Sequence, residues 1–218
     1  SPNPQSTLWN DVNNLKKYDI VLLSCECSEN NETKSAQNKQ AMKDYLDAGG
    51  RVFATHFHYT WFKNGPSDLA GLANWSGSFG GSTFQVDQGF PKGAALADWL
   101  QNIGATTSKG SIDLQGTASD VGTVKTGAQR WISSSPGTAA ESVKYFTFNT
   151  PVGKKAEEQC GRGVMSDLHV SSAGGSDANL PTQCAASSLT PQERALEFMF
   201  FDLSSCVQDD KVPPAPPK

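Results

Sequence analysis

The 218 residues contain three histidines, His56, His58 and His169, and each falls at or just beyond the end of a segment that reads as a parallel strand. Open α/β sheets bind their ligands at that edge. If the strand that starts at Arg51 persists through His58, the two imidazoles point to one face with Cα atoms about 6.6 Å apart, close enough to share an ion. With His169 as a distant third nitrogen, the set matches the tetrahedral preference of zinc, and copper accepts imidazole equally well. Asp167, two residues before His169, is then either a fourth ligand or the carboxylate that orients one of the rings. The plain alternative is three hydrogen-bonded histidines at partly buried strand ends.

Other residues offer different chemistry. Glu26 stands between Cys25 and Cys27 at the mouth of the same expected cleft, either as a carboxylate ligand or general base or as a solvated loop acid. Cys25 or Cys27 could also serve as a nucleophile with a histidine as base. Were an ion to activate water, Glu26 or Asp167 would be the base. Trp61 and Trp75 lie in a Gly/Asn-rich stretch with Asp68 and Asn74. Such rings stack on sugars while the polar pair hydrogen-bonds, or they simply pack the stretch onto the sheet.

The elements that must position these groups follow from periodicity. Leu8, Val12 and Leu15 predict a helix from Leu8 to Lys16, capped by Ser6 or Thr7. Asp19 to Ser24 is a short apolar run, the pattern of a parallel strand buried on both faces. Met42, Tyr45 and Leu46 predict a second helix that stops at Gly49-Gly50, and Arg51 to Phe57 reads as the next strand. The three form a right-handed β-α-β unit. From Tyr59 to Pro91 the pattern dissolves into Gly, Ser and Asn with scattered aromatics, as in a lid or insertion. A helix follows from about Gly93 to Ile103. Gln129 to Ile132 and Val143 to Phe148 read as antiparallel edge strands, and Gly161 to Val170 as the last strand. Thr190, Pro191 and Glu193 mark the start of a closing helix that runs to about Ser204.

Composition removes several classes. Charged residues are 18% of the chain and the formal net charge is −4, which argues against a nucleic-acid surface built on counterion release. The apolar stretches fall well short of the roughly 20 residues that span a bilayer. Five cysteines are present without a C-x-x-C pair. In an oxidising compartment Cys160 and Cys184 would bridge across a Gly/Ser/Asp loop, contributing about 3 kcal/mol, and Cys206 would pair with Cys25 or Cys27. The alternative is five reduced cysteines in a cytoplasmic protein. The Ser/Thr/Asn-rich composition and the tail Val212-Pro213-Pro214-Ala215-Pro216-Pro217 suggest a piece of a longer exported protein with neighbouring domains. The expected division is a tail at 1–6, one domain at 7–207 with an insertion at 59–91, and a Pro-rich tail or linker at 208–218.

The order Tyr18-Asp19-Ile20-Val21-Leu22-Leu23, polar helix, Asp47-Ala48-Gly49-Gly50, Arg51-Val52-Phe53-Ala54-Thr55-His56, together with Gly161-Arg162-Gly163-Val164-Met165-Ser166-Asp167-Leu168-His169, resembles the class I glutamine amidotransferase-like superfold. The trehalose-utilisation (ThuA-like) branch is the nearest in pattern. The chain also resembles uncharacterised domains of bacterial cell-surface lipoproteins through Thr190-Pro191-Gln192-Glu193 and Phe201-Asp202-Leu203-Ser204-Ser205-Cys206. The resemblance implies a three-layer α/β sandwich: a flavodoxin-like, mostly parallel sheet with helices on both faces and some antiparallel edge strands. Where amidotransferases present their nucleophilic cysteine, this chain has Thr55-His56-Phe57-His58, which argues against glutaminase chemistry by that route. Two functions are then expected. One is an exported, non-catalytic domain that binds a carbohydrate or another small ligand, with or without a metal ion on its histidines. The other is a metal-dependent hydrolase.

Overall fold

The computed structural model describes residues 3–78, 81–168 and 189–213. In chain order the elements are α1 (Pro4–Thr7), α2 (Val12–Leu15), β1 (Ile20–Leu23), α3 (Ala36–Asp47), β2 (Arg51–Thr55), α4 (Thr60–Lys63), α5 (Ser67–Ala70), β3 (Thr83–Val86), α6 (Pro91–Asn102), β4 (Ser111–Asp113), β5 (Ala128–Ser134), β6 (Ser142–Thr150), β7 (Gly161–Ser166) and α7 (Pro191–Ser204). The strands form one open sheet in the order β1-β2-β7-β6-β5-β3-β4. β1, β2 and β7 are mutually parallel, and every pairing from β7 outward to β4 is antiparallel.

Alternation along the strands produces the three layers. Val52 and Ala54 of β2 face a cluster with Met42 and Leu46 of α3 and Phe62 of α4, whereas Phe53 between them faces Leu96 of α6 and Met199 of α7. Met165 and Val164 of β7 divide in the same way. Successive strand residues point to opposite faces, so both sheet surfaces acquire a hydrophobic layer that only helices can cover. The α/β three-layer sandwich expected from the sequence is the architecture the chain adopts.

Several boundaries have local causes. Asp11 accepts the N–H of Asn13 and starts α2 at Val12, so the first expected helix is two short turns. α3 ends where Gly49 takes φ +101° and the N–H groups of Gly49 and Gly50 return to Leu46 and Tyr45. Thr190 and Glu193 form the expected capping box of α7.

Three expectations need correction. β1 is an edge strand, and Leu22 is 57% exposed rather than buried on both faces. β6 lies inside the sheet, between β7 and β5, where it was expected at an edge. The 59–91 stretch is no lid, because Phe62, Leu69, Leu72 and Phe84 are buried in the two cores and Thr83–Val86 is a sheet strand. Its aromatics were free to make that contribution because an aromatic ring buries a large area whatever the local sequence polarity.

A buried charge cluster ties the closing segment to the sheet. Arg162 of β7 is 1% exposed and donates to Asp202 of α7 and to Asp210 beyond it. Lys92, in the first turn of α6, pairs with the same two carboxylates. Two cations thus meet two anions, and none of the four charges is left uncompensated.

Candidate functional site: a cleft at the ends of the parallel strands

A cleft of about 220 Å³ lies beyond the carboxyl ends of β1, β2 and β7. Leu22, Phe53, Leu168, Leu196 and Phe200 make its walls apolar, and Cys25, His56 and Asp167 bring polar atoms to it. No described residue of the 59–91 stretch lines it. This is the place where the strand order of an open sheet leaves room for a ligand.

His56 occupies the turn where β2 gives way to a 3-10 segment, His56–Tyr59, and its φ is +46°. A non-glycine residue held in the left-handed region stores backbone strain, a feature concentrated at functional turns. The strand therefore ends at Thr55, and His56 and His58 do not share a strand face. In a 3-10 turn residues two apart point in different directions, since side chains eclipse only every third residue.

The two imidazoles have separate surroundings. Nδ1 of His56 is 3.8 Å from Sγ of Cys25, and its ring packs on Phe57. His58 is buried, with Nε2 2.8 Å from the carbonyl of Ser24 and Nδ1 3.2 Å from Nε1 of Trp61. A carbonyl only accepts and an indole only donates, so Nε2 carries the proton and Nδ1 receives one. Oε1 of Glu26, 3.3 Å from the same Nδ1, would favour a charged ring, but burial outweighs it and lowers the His58 pKa. His58 is thus neutral, with both nitrogens engaged. It joins the loop after β1 to the turn after β2.

Glu26 is engaged as well. It forms an ion pair with buried Lys34, and Oε2 accepts from Asn30. It does not line the cleft.

Asp167 follows β7 and is 2% exposed. Its main chain is fixed by two bonds, N–H to the carbonyl of Lys144 and carbonyl to the N–H of Ala118, and Oδ2 accepts the N–H of Asp120 at 2.9 Å. Burial raises the Asp167 pKa well above the carboxylate norm, and the Asp120 charge adds to this against an opposing effect of Lys144. Burial also raises Asp120, opposed by His56. The two carboxyl groups adjoin, and with a proton on one of them they would share a hydrogen bond. Such a proton would supply the donor that the buried atoms Asp120 Oδ2 and Asp167 Oδ1 lack. Lys144, 1% exposed, donates to the Ala118 carbonyl and Ser142 Oγ beneath them.

The thiol of Cys25 is exposed and donates to the Glu26 carbonyl at 3.6 Å. Partial burial and the charges of Cys27 and Glu26 push its pKa up, so it rests as a neutral thiol.

The remaining expected site residues do not reach the cleft. Trp61 is 1% exposed and edge-on to Trp9. Trp75 donates to the Ala70 carbonyl and packs against Tyr59 and Phe146. Asp68 pairs with Lys43, and Asn74 bonds Thr123. Both rings make packing contacts with neighbouring aromatic rings. His169, the expected third metal ligand, lies outside the described residues, as does Cys184. Among the described residues no group of three or more His, Cys, Asp or Glu is placed to hold an ion.

Cys25, Cys27, Cys160 and Cys206 carry free thiols. Cys25 follows the carboxyl end of β1, whereas Cys206 follows the end of α7, whose Leu203 carbonyl accepts from Arg51 at the amino end of β2. The sheet's height separates them, so the expected bridge from Cys206 to Cys25 or Cys27 is not made.

Sequence reasoning missed Asp120 and Lys144. Lys144 did leave a signal, a lone cation in the apolar run Val143 to Phe148. Asp120 left none, because it stands in an irregular segment without periodicity.

Comparison with protein families, with curated proteins and with solved structures finds no match to this chain. No helix among the described residues is long and apolar enough to cross a membrane.

Proposed function

We propose that the chain is a small-ligand-binding domain, that the cleft beyond β1, β2 and β7 is its site, and that the ligand has a hydrocarbon body and one polar end. The carrying observation is the lining: apolar walls from three strand ends and α7 lead to Cys25, His56 and Asp167. Apolar burial supplies affinity in such a site, and a few placed polar groups fix orientation. The reading keeps the ligand-binding expectation of the sequence and moves it from the tryptophans to the strand ends. The likeness in element order to the amidotransferase-like superfold supports it, since there too the turn after the second of these strands faces the site.

The test is NMR titration of the full chain with benzyl alcohol, and of the Ala118→Phe variant, whose ring would fill the cleft. Shifts centred on Leu22, Thr55, His56 and Leu168, weakened about tenfold or more by Ala118→Phe (about 1.4 kcal/mol), are expected. Shifts centred elsewhere, or unchanged affinity in the variant, would overturn the proposal.

A further inference from the structure

The sulfur of Cys25 and the Nδ1 of His56 face one another across the floor of the cleft, brought together from two loops 31 residues apart. We propose that they form a nucleophile and base pair for acyl transfer, and that the substrate is a small ester or thioester with a short apolar acyl group. This rests on the ligand-binding reading of the same cleft and adds a reaction to it.

Three observations meet here. First, the pair has the right partners: a thiol sulfur and an imidazole nitrogen at 3.8 Å, a separation that tightens on substrate binding as the thiol turns its proton from the Glu26 carbonyl to Nδ1. Second, the base is held in a strained left-handed turn at φ +46°, a conformation that concentrates at functional turns. Third, the cleft has about 220 Å³ beside the sulfur, walled by Leu22, Phe53 and Phe200, room for a few carbons of an acyl chain. Asp120, in the segment between β4 and β5, exerts an electrostatic pull on His56 and would steady the imidazolium that forms.

The steps balance with water as the only co-reactant. Sγ attacks the carbonyl carbon while its proton passes to Nδ1 of His56. The bond to the leaving oxygen or sulfur breaks, and that atom takes the proton from the imidazolium. Water then attacks the thioester carbon, His56 receives its proton, the C–S bond breaks, and the proton returns to Sγ. A carboxylic acid is released and the thiol restored.

The experiment exposes the full chain to p-nitrophenyl butyrate and locates the butyryl group by peptide mass spectrometry. Cys27, also exposed and two residues away, is the internal control. Cys25 should acylate at least about tenfold faster than Cys27, and nitrophenolate release should fall at least about tenfold in Cys25→Ser but persist in Cys27→Ser. His56→Asn, which tolerates the left-handed turn, should slow acylation by about a hundredfold or more. Should that variant fail to fold, the Cys25 to Cys27 ratio in the unmodified chain decides the matter. Equal labelling of the two thiols, or a rate unchanged in folded His56→Asn, would overturn the inference. Benzyl alcohol shifts without acylation would overturn it while leaving the binding reading intact, and acylation unaffected by Ala118→Phe would sink the cleft as the binding site instead.

Discussion

Arg162 places both Nε and Nη2 on the same oxygen of Asp202, at 2.9 and 2.7 Å, inside the molecule and 40 residues away along the chain. The pair joins the middle of the sheet to α7, and Lys92 extends it to α6. Removing Asp202 would leave Asp210 as the one carboxylate shared by Arg162 and Lys92. Breaking a buried pair by deleting one partner costs about 3 to 5 kcal/mol. Asp202→Ala should therefore lose that much stability in a urea titration, and a loss below about 1 kcal/mol would mean that water reaches the cluster.

How much of this was legible depended on distance along the chain. The β-α-β unit could be read because its apolar spacing, Gly49-Gly50 and the run from Ile20 are local signals. Thr83–Val86 escaped because four residues in a Gly/Ser-rich stretch carry too few alternations to count. His58 was visible as a histidine near a strand end, but its role was not. That role depends on Ser24 and Trp61, and on the strand stopping one residue before His56. The Asp120 and Asp167 pair was out of reach entirely, since nothing local brings residues 47 apart into contact.

The thiols give a direct check on the corrected cysteine pattern. Without reductant, the folded chain should present the four exposed thiols Cys25, Cys27, Cys160 and Cys206 to an aromatic disulfide reagent. A native count two or more lower, with the mass deficit of a bridge, would contradict the separation of Cys25 from Cys206.

His58 should make the fold sensitive to acid. Burial lowers its pKa, with Glu26 opposing and Lys34 and His56 assisting. A depressed pKa means that stability is present above the ordinary histidine value, about 6.5, and is lost as pH falls through the lower folded value. Protonation would also set a donor against the indole N–H of Trp61. His58→Gln retains one donor and one acceptor without a titrating group. Its melting temperature should fall less than that of the parent between neutral pH and pH 5. Parallel curves would show that the ring titrates without consequence for the fold.

The Asp120 and Asp167 pair should act with the opposite sign. Burial raises both carboxyls, so the folded state holds a proton that the unfolded chain has released by neutral pH. The stabilisation is complete below the unfolded value, about 3.9, and is lost as pH rises through the raised folded values. Asp167→Asn replaces that proton with a permanent amide donor directed at Asp120, while its oxygen still accepts the Asp120 N–H. Because the parent must take up that proton on folding at neutral pH whereas the amide carries its donor at every pH, the variant should be more stable than the parent at neutral pH, by about 1 to 3 kcal/mol. The gain should shrink as the pH is lowered, because the unfolded chain then also carries the proton and its uptake on folding costs less. Urea titrations at pH 4.5 and pH 7.5 measure both. A variant less stable at pH 7.5, or a difference that grows in acid, would mean that the two carboxylates are held charged by Lys144 and share no proton.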